Sequence, residues 1–183
     1  MAWELCRAEG LAGLSLRDIA RRIGMQAPSL YSYFDSKHAI YDAMFADGVR
    51  EFVAQQPDAP TTDPVEGVKL RMRYYVAFCT ADPVRYQLLF QRTIPGFEPS
   101  PESYALSVES LQALEAWLRE AGLDAPGTLD LYTAIAAGLA SQQNANEPGG
   151  DRWTRLIDEA AEMFVHQARV MKQRKATSGR RKK

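Results

Sequence analysis

The segment that most constrains the fold of this chain is 14–37, which has the start and stop signals of two short helices joined by a tight turn. Ser15 is placed to cap the first helix, because its hydroxyl can accept from the free N–H groups of the first turn. Asp18, three residues later, completes an approximate capping box. Gly24 follows the apolar part of this helix, where a helix end favours the left-handed conformation that glycine adopts at low cost. We therefore expect a helix, a turn and a second helix.

The apolar residues of this stretch fall on one side of each predicted helix. In the first helix they recur at i, i+3, i+4 and i+7, as Leu16, Ile19, Ala20 and Ile23. Pro28 suits the first turn of the second helix, where its missing N–H costs little. Leu30 and Phe34 give that helix one buried side. The side left free carries Gln26, Ala27, Ser29, Tyr31, Ser32 and Tyr33.

Two interpretations fit this spacing. Small residues at Ala20 and Gly24 allow two helices to cross closely at a steep angle, as a helix-turn-helix requires. The hydroxyls, amide and phenols of the free side suit contacts to base edges and phosphates. A plain helical hairpin with a polar outer face has the same spacing, so both interpretations stay open on these residues alone.

Composition indicates a soluble globular protein with a cytoplasmic location. Of the 183 residues, 46% are hydrophobic and 25% are charged, and no apolar run is long enough to span a membrane. The N-terminus lacks the pattern of a signal peptide. Cys6 and Cys79 are isolated thiols, which we interpret as small buried hydrophobic residues rather than a disulfide pair.

The charges are distributed unevenly along the chain. Residues 172–183 contain seven Lys or Arg and no acid, whereas residues 1–171 carry 15 basic and 23 acidic side chains, a net charge of −8. Residues 1–171 would not attract nucleic acid through their net charge, so any DNA contact must come from a local surface. The tail 172–183 is predicted to be disordered, and it would serve either non-specific attraction to DNA or solubility.

The whole chain has helical spacing, with no strand pattern and no internal repeat. We predict an all-α fold of about nine helices, the first ending at Gly10 and the last capped by Asp151. The segment 56–64, with three prolines, is the clearest boundary. The predicted domains are therefore 1–55 and 65–171, followed by the tail.

The N-terminal domain resembles the DNA-binding domain of the TetR family of bacterial transcriptional regulators. The similarity lies in the segments Ser15-Leu16-Arg17-Asp18-Ile19-Ala20, Ile23-Gly24-Met25 and Ser29-Leu30-Tyr31-Ser32-Tyr33-Phe34-Asp35-Ser36-Lys37. It covers about 50 residues, and the second domain is similar only in architecture and length. The family's first helix usually begins earlier, behind a basic arm. Either the chain as given lacks a native N-terminal segment or the protein lacks those contacts, and we expect the former.

The resemblance implies that the helix at about 26–33 lies in the major groove of double-stranded operator DNA. The implied base-facing residues are Gln26, Ala27, Pro28 and Ser29. The implied contacts to the DNA backbone come from Ser15, Arg17, Tyr31, Tyr33 and Lys37. For Tyr33, partial burial in the domain core is the alternative.

The same resemblance implies that the second domain binds a small molecule and forms a homodimer. The candidate pocket residues are aromatic, apolar or polar positions of the middle helices, namely Met72, Tyr75, Phe78, Cys79, Tyr86, Phe90, Trp117, Tyr132 and Gln142. No basic cluster points to a phosphate or polycarboxylate, so we expect an apolar or aromatic effector. The expected dimer seam is formed by Trp153, Leu156, Ala160, Phe164 and Ala168.

The predicted function is that of a homodimeric repressor released from its operator by this effector. The alternative is a helical ligand-binding dimer with weak or lost DNA binding, which the acidic body favours. Catalysis is not expected, because His38 and His166 lie in different domains and no nucleophile, phosphate-loop or metal-ligand pattern is present. We predict no cofactor, no metal and no membrane partner.

Overall fold

The computed structural model describes residues 1–180, without the side chains of residues 27, 175, 176 and 178–180. Within that range the fold consists of nine α-helices and one 3-10 turn and contains no strand, which confirms the predicted all-α class. The helices are α1 (Ala2–Gly13), α2 (Leu16–Arg22), α3 (Ala27–Tyr31), α4 (Lys37–Ala54), α5 (Pro64–Ala81), α6 (Pro83–Phe90), α7 (Pro101–Glu120), α8 (Thr128–Asn146) and α9 (Ile157–Arg180). The 3-10 turn is Thr154–Leu156.

Two features are absent from the part of the chain that the structure describes. No helix in that part combines the length and apolarity that a membrane span requires. Within the same part of the chain, no three His, Cys, Asp or Glu side chains gather as metal ligands would.

The chain divides into two compact units. The first unit contains residues 1–55 and 82–109, and the second unit contains residues 56–81 and those from 110 onwards. The boundary after residue 55 matches the proline-rich segment, but the sequence analysis placed 82–109 in the second domain. Helix α7 therefore contributes its first residues to one unit and its remainder to the other.

Ion pairs explain why α6 groups with the N-terminal helices. Asp82, which caps α6 by accepting from the Arg85 N–H at 3.1 Å, also accepts from the Arg7 guanidinium of α1 at 2.7 Å. Arg85 in turn lies 2.7 Å from the carboxylate of Glu51 on α4. These partners are separated by tens of residues, so the hydrophobic pattern carries no signal for them.

The core of the first unit is built around α1 and α4. Tyr41 is almost fully buried, and its hydroxyl donates to the carbonyl of Leu11. Cys6 is fully buried beside it, and desolvation raises the pKa of its thiol to about 11. The thiol is therefore protonated at neutral pH, in keeping with its interpretation as a small hydrophobic residue.

Helix α1 is broken at Gly10 rather than ended there. Gly10 has a φ of +75°, a value that other residues adopt only with strain. A further helical turn continues through Gly13. The sequence thus located the break correctly but missed the turn that follows it.

The second unit packs α5 against α8 and α9. The apolar contact faces include Val68, Met72 and Val76 of α5, which are fully buried. Between α8 and α9, the rings of Tyr132 and Phe164 meet edge to face with centroids 5.4 Å apart.

The last helix begins later and ends later than predicted. Gln143 accepts from the Trp153 N–H at 2.9 Å and thereby holds the 3-10 turn, so α9 begins at Ile157 instead of near Asp151. It continues through Arg180, into the segment predicted to be disordered, because a run rich in Lys, Arg, Gln and Ala extends an existing helix readily. Residues 181–183 lie outside the described residues.

Candidate DNA-binding and ligand-binding sites

The start of α2 has the predicted cap. The Asp18 N–H donates to Ser15 Oγ at 3.2 Å, and the Ser15 hydroxyl donates to the Asp18 carboxylate. Both hydrogen-bonding roles of the hydroxyl are thus used within the cap. This differs from the expectation that Ser15 Oγ contacts a phosphate, although its position at the start of the helix is the predicted one.

The turn after α2 is a glycine-terminated helix end. Gly24 has a φ of +71°, and the Met25 N–H donates to the Ala20 carbonyl at 2.9 Å. Ala20 is 1% exposed, as close helix packing requires. Ile23, expected on the buried face, is instead 38% exposed.

Helix α3 is short and anchored by one side chain. It has Pro28 in its first turn, and Leu30 is 5% exposed. The N–H groups of Tyr33 and Phe34 both donate to the Leu30 carbonyl at 3.0 Å, so the chain turns away after Tyr31. The helical part is thus shorter than the segment 26–33 predicted for it.

The outer side of α3 presents most of the predicted contact residues to solvent. Gln26, Pro28, Ser29, Tyr31 and Tyr33 are all exposed. Tyr33 is 75% exposed, which argues against its burial in the domain core. The side chain of Ala27 lies outside the described residues. We call these five exposed positions, on α3 and its flanking residues, the α3 surface.

Lys37 is occupied within the protein. Its Nζ donates to the Ala12 carbonyl at 2.6 Å and lies 5.5 Å from the centre of the Tyr41 ring. The side chain is half-buried and binds the last turn of α1. In this arrangement the ammonium group, which was predicted to contact a DNA phosphate, is hydrogen-bonded within the protein.

Three arginines of α2 supply positive charge near the α3 surface. Arg17 is exposed, as predicted for a phosphate contact, and Arg22 is exposed as well. Neither forms an ion pair or hydrogen bond with another residue of the described chain, whereas Arg21 pairs with Asp18. The sequence analysis missed Arg22, whose signal was a charged position opposite the buried face of α2.

The predicted pocket residues do not all lie together. Those in the second unit are Met72, Tyr75, Phe78, Cys79, Trp117, Tyr132 and Gln142, whereas Tyr86 and Phe90 belong to the first unit. Most are buried, but Gln142 is exposed and accepts from the Asn146 side chain at 2.6 Å. Gln142 is therefore a surface residue rather than a polar anchor inside a pocket.

An arginine that the sequence analysis missed joins two of these residues. The Arg71 guanidinium lies 4.7 Å from the centre of the Trp117 ring. Burial lowers the pKa of Arg71, against the opposing influence of Tyr132 and Asp58. Burial likewise raises the pKa of the Tyr132 phenol, so that it stays neutral and able to donate. Arg71 is one of three cations on α5, and nothing in the sequence distinguishes it from Lys69 and Arg73.

The expected dimer seam is partly inside the second unit. Phe164 and Ala168 are 0% and 1% exposed in the single chain, so they have almost no surface left to bury against a second copy. They face α5 and α8. Helix α9 is apolar on more than one side, so the spacing of its apolar residues does not predict which side packs in the core of the unit. Trp153 and Ala160 are half-buried, and Leu156 is 39% exposed.

Comparison with known proteins supports the interpretation of the N-terminal segment. Residues 1–44 match the family model described as bacterial regulatory proteins, tetR family. The HTH-type transcriptional regulator Rv1816 of Mycobacterium tuberculosis is 28% identical over 137 residues, which are 72% of this chain and 51% of that protein. The chain spans about half the length of the curated relatives it matches.

Solved structures share the fold over most of the chain. The TetR family transcriptional regulator PfmR from Thermus thermophilus has a TM-score of 0.64 at 20% identity, covering 90% of this chain and 94% of its own. A variant of TetR from Acinetobacter baumannii, solved in complex with minocycline, has a TM-score of 0.59 at 17% identity and covers 93% of each chain. The matched proteins are regulators rather than enzymes, in agreement with the prediction. The capped helix-turn-helix and the match over residues 1–44 together show that the N-terminal segment of this chain is similar to the bacterial regulatory proteins of the tetR family.

Proposed function

We propose that this protein is a transcriptional regulator that binds a specific double-stranded operator through the α3 surface. The observation that carries the proposal is the exposure of Gln26, Ser29, Tyr31 and Tyr33 on α3 and its flanking residues, while Leu30 of the same helix is buried. A helix fixed in this way presents its polar side as a preformed surface. Such a surface can enter the major groove without reorganisation.

The residues of the α3 surface divide into two roles. The Gln26 amide can both donate and accept, which suits the paired groups on an adenine edge, and the Pro28 ring can contact a thymine methyl. The exposed phenols of Tyr31 and Tyr33 and the guanidinium of Arg17 suit phosphate oxygens. Affinity would come mainly from the second group and sequence preference from the first.

Two such surfaces would act together in a homodimer formed through α8 and α9. The outer side of α8 has exposed Ala134 and Gly138, and a Cβ atom at Gly138 would meet nothing within 4 Å. Leu156 and Met163 supply apolar groups that are 39% and 71% exposed. In the proposed dimer interface these residues take the place of Phe164 and Ala168, the buried residues of the predicted seam. A twofold dimer would space its recognition helices about 34–36 Å apart, to match successive major grooves.

We further propose that the protein is a repressor released by a small, largely apolar or aromatic ligand bound in the second unit. Trp117 and Tyr132 supply buried aromatic surface there. Release requires that the ligand bind more tightly to a state of the dimer whose two recognition helices do not match successive major grooves. A change of about 100-fold in DNA affinity needs about 2.7 kcal/mol of coupling free energy between the two sites. The complex of the Acinetobacter baumannii TetR variant with minocycline shows that this fold can hold a small molecule.

Footprinting on the DNA upstream of the protein's own gene tests the proposal. The expected result is protection of a defined sequence at moderate salt by the full chain. Smeared protection that disappears as salt rises would instead support the ligand-binding dimer with weak DNA contact. The protein's location in the cytoplasm follows from this function and is part of the proposal.

A matched pair of variants makes the test specific to the α3 surface. Gln26→Ala should lose about 1–3 kcal/mol of preference for the operator over a variant carrying one changed base pair. Gln112→Ala, an equally exposed amide on α7, should leave that preference unchanged. Equal effects of the two substitutions would refute the assignment of Gln26 as a base-reading residue.

A further inference from the structure

Three cations of α5 differ in how they are paired. Lys69 lies 2.8 Å from the carboxylate of Glu162, and Arg73 pairs with Asp158. Arg71, between them in sequence, forms no ion pair and no hydrogen bond with any part of the chain that the structure describes. The acids of α9 thus neutralise two of the three cations and leave Arg71 without a carboxylate.

Arg71 is held against a rigid aromatic side chain. Its guanidinium lies 4.7 Å from the centre of the Trp117 ring, and its Nε is buried without a hydrogen-bond partner. Trp117 donates from Nε1 to the Ala59 carbonyl at 2.9 Å. Its ring also lies so close to Gly67 that a Cβ atom there would approach it to 2.4 Å. The tryptophan cannot turn away, so the guanidinium keeps its position.

Helix α8 adds the Tyr132 phenol to the surroundings of Arg71. Tyr132 is 4% exposed and lies close enough to Arg71 for each to shift the pKa of the other. The nearby carboxylate of Asp58 influences Arg71 electrostatically but forms no ion pair with it.

We propose that Arg71 binds the carboxylate of a small aromatic or apolar acid, and that such an acid is the effector. A guanidinium presents paired N–H donors that match a carboxylate, and the partly buried setting strengthens the attraction. The buried Nε of Arg71, which lacks a partner, would gain one from the ligand. One unpaired cation balances one negative charge, so a monocarboxylate fits better than a phosphate or a polycarboxylate. This inference rests on the proposed function, because it names the ligand of that regulator.

Isothermal titration of the full chain with paired probes tests the inference. The probes are benzoate and phenylbutyrate, each compared with its neutral amide. Wild-type protein should bind at least one acid about tenfold or more tightly than its amide, as expected for a hydrogen-bonded charge pair. Arg71→Gln should abolish that difference. Arg119→Gln, which removes an exposed arginine from α7 of the same unit, should retain it.

Two further measurements keep the outcome unambiguous. Arg71→Lys keeps the positive charge without the paired donors, and it should bind the acid with intermediate affinity while unfolding at the wild-type temperature. No acid preference in the wild-type protein, or a preference that survives Arg71→Gln, would overturn the inference. Footprinting without any ligand judges DNA binding separately. Specific protection combined with no acid preference would reject only the acid, whereas acid preference without specific protection would reject only the regulator.

Discussion

Replacing Gly67 by alanine is expected to destabilise the protein, although the same change usually stabilises a helix. A Cβ atom at Gly67 would lie 2.3 Å from the Pro60 carbonyl oxygen and 2.4 Å from Cζ2 of Trp117. Neither neighbour can move freely, because one is backbone and the other is held by its hydrogen bond to Ala59. The methyl group therefore forces a displacement of α5 or of the tryptophan.

The size of the effect follows from three contributions. Overpacking of this kind costs about 1–3 kcal/mol. Loss of the Trp117 hydrogen bond would add about 1 kcal/mol, whereas the higher helix propensity of alanine returns about 1 kcal/mol. The net expectation is a loss of about 2 kcal/mol, which for a chain of this size lowers the melting temperature by about 4–8 °C.

Gly138→Ala provides the matched control. Gly138 lies in the middle of α8, and a Cβ atom there would meet nothing within 4 Å of this chain. Because Gly138 lies on the face proposed for dimerisation, the expectation applies to the monomer, which should be stabilised by about 0.5–1 kcal/mol, as helix propensity predicts. Differential scanning calorimetry of both variants beside the wild type measures the two shifts. A Gly67→Ala variant that melts at or above the wild-type temperature would show that Trp117 does not pack closely against Gly67 of α5.

Two other predictions address the first unit and the proposed dimer. Burial raises the pKa of Asp42, but hydrogen bonds from the Ser100 N–H, the Ser103 hydroxyl and the Ser100 hydroxyl outweigh burial, so the net pKa is lowered. The ionised carboxylate therefore stabilises the folded state above about pH 4, and this stabilisation is lost as the pH falls through the lowered pKa. Asp42→Asn should thus cost about 2 kcal/mol in urea titrations at pH 7, and an equal cost near pH 3 would contradict this origin. Met163→Glu, at a position 71% exposed, should leave the melting temperature of the monomer unchanged but shift sedimentation toward monomer, and an unaltered dimer would exclude this face.

The features predictable from the sequence are those decided within a few residues. Ser15 and Ser36 cap their helices through the N–H groups of Asp18 and Ala39, three residues later in each case. Gly24 ends α2 with a positive φ. In each case a short polar side chain or a missing Cβ atom acts on its own backbone, so the residue type suffices to predict the geometry.

The features that escaped prediction depend on distant partners. Lys37 was expected to face DNA but donates to Ala12, 25 positions earlier in the chain. Arg71 meets Trp117 across two helices whose sequences give no sign of their contact. Phe164 was expected at a dimer seam because α9 is apolar on several sides, and only the packing of α5 and α8 decides which side is internal. Periodicity identifies a buried face but does not identify what covers it.

The division of the chain suggests how binding in the second unit would reach the DNA-binding helices. The backbone passes between the units next to Asp82, the residue that follows the last turn of α5. Asp82 caps α6 and pairs with Arg7 of α1, and Arg85 of α6 pairs with Glu51 of α4. A displacement of α5 caused by a ligand at Arg71 would therefore act on a residue that already holds α1. In the proposed regulator, α6 consequently provides a route to the helix-turn-helix.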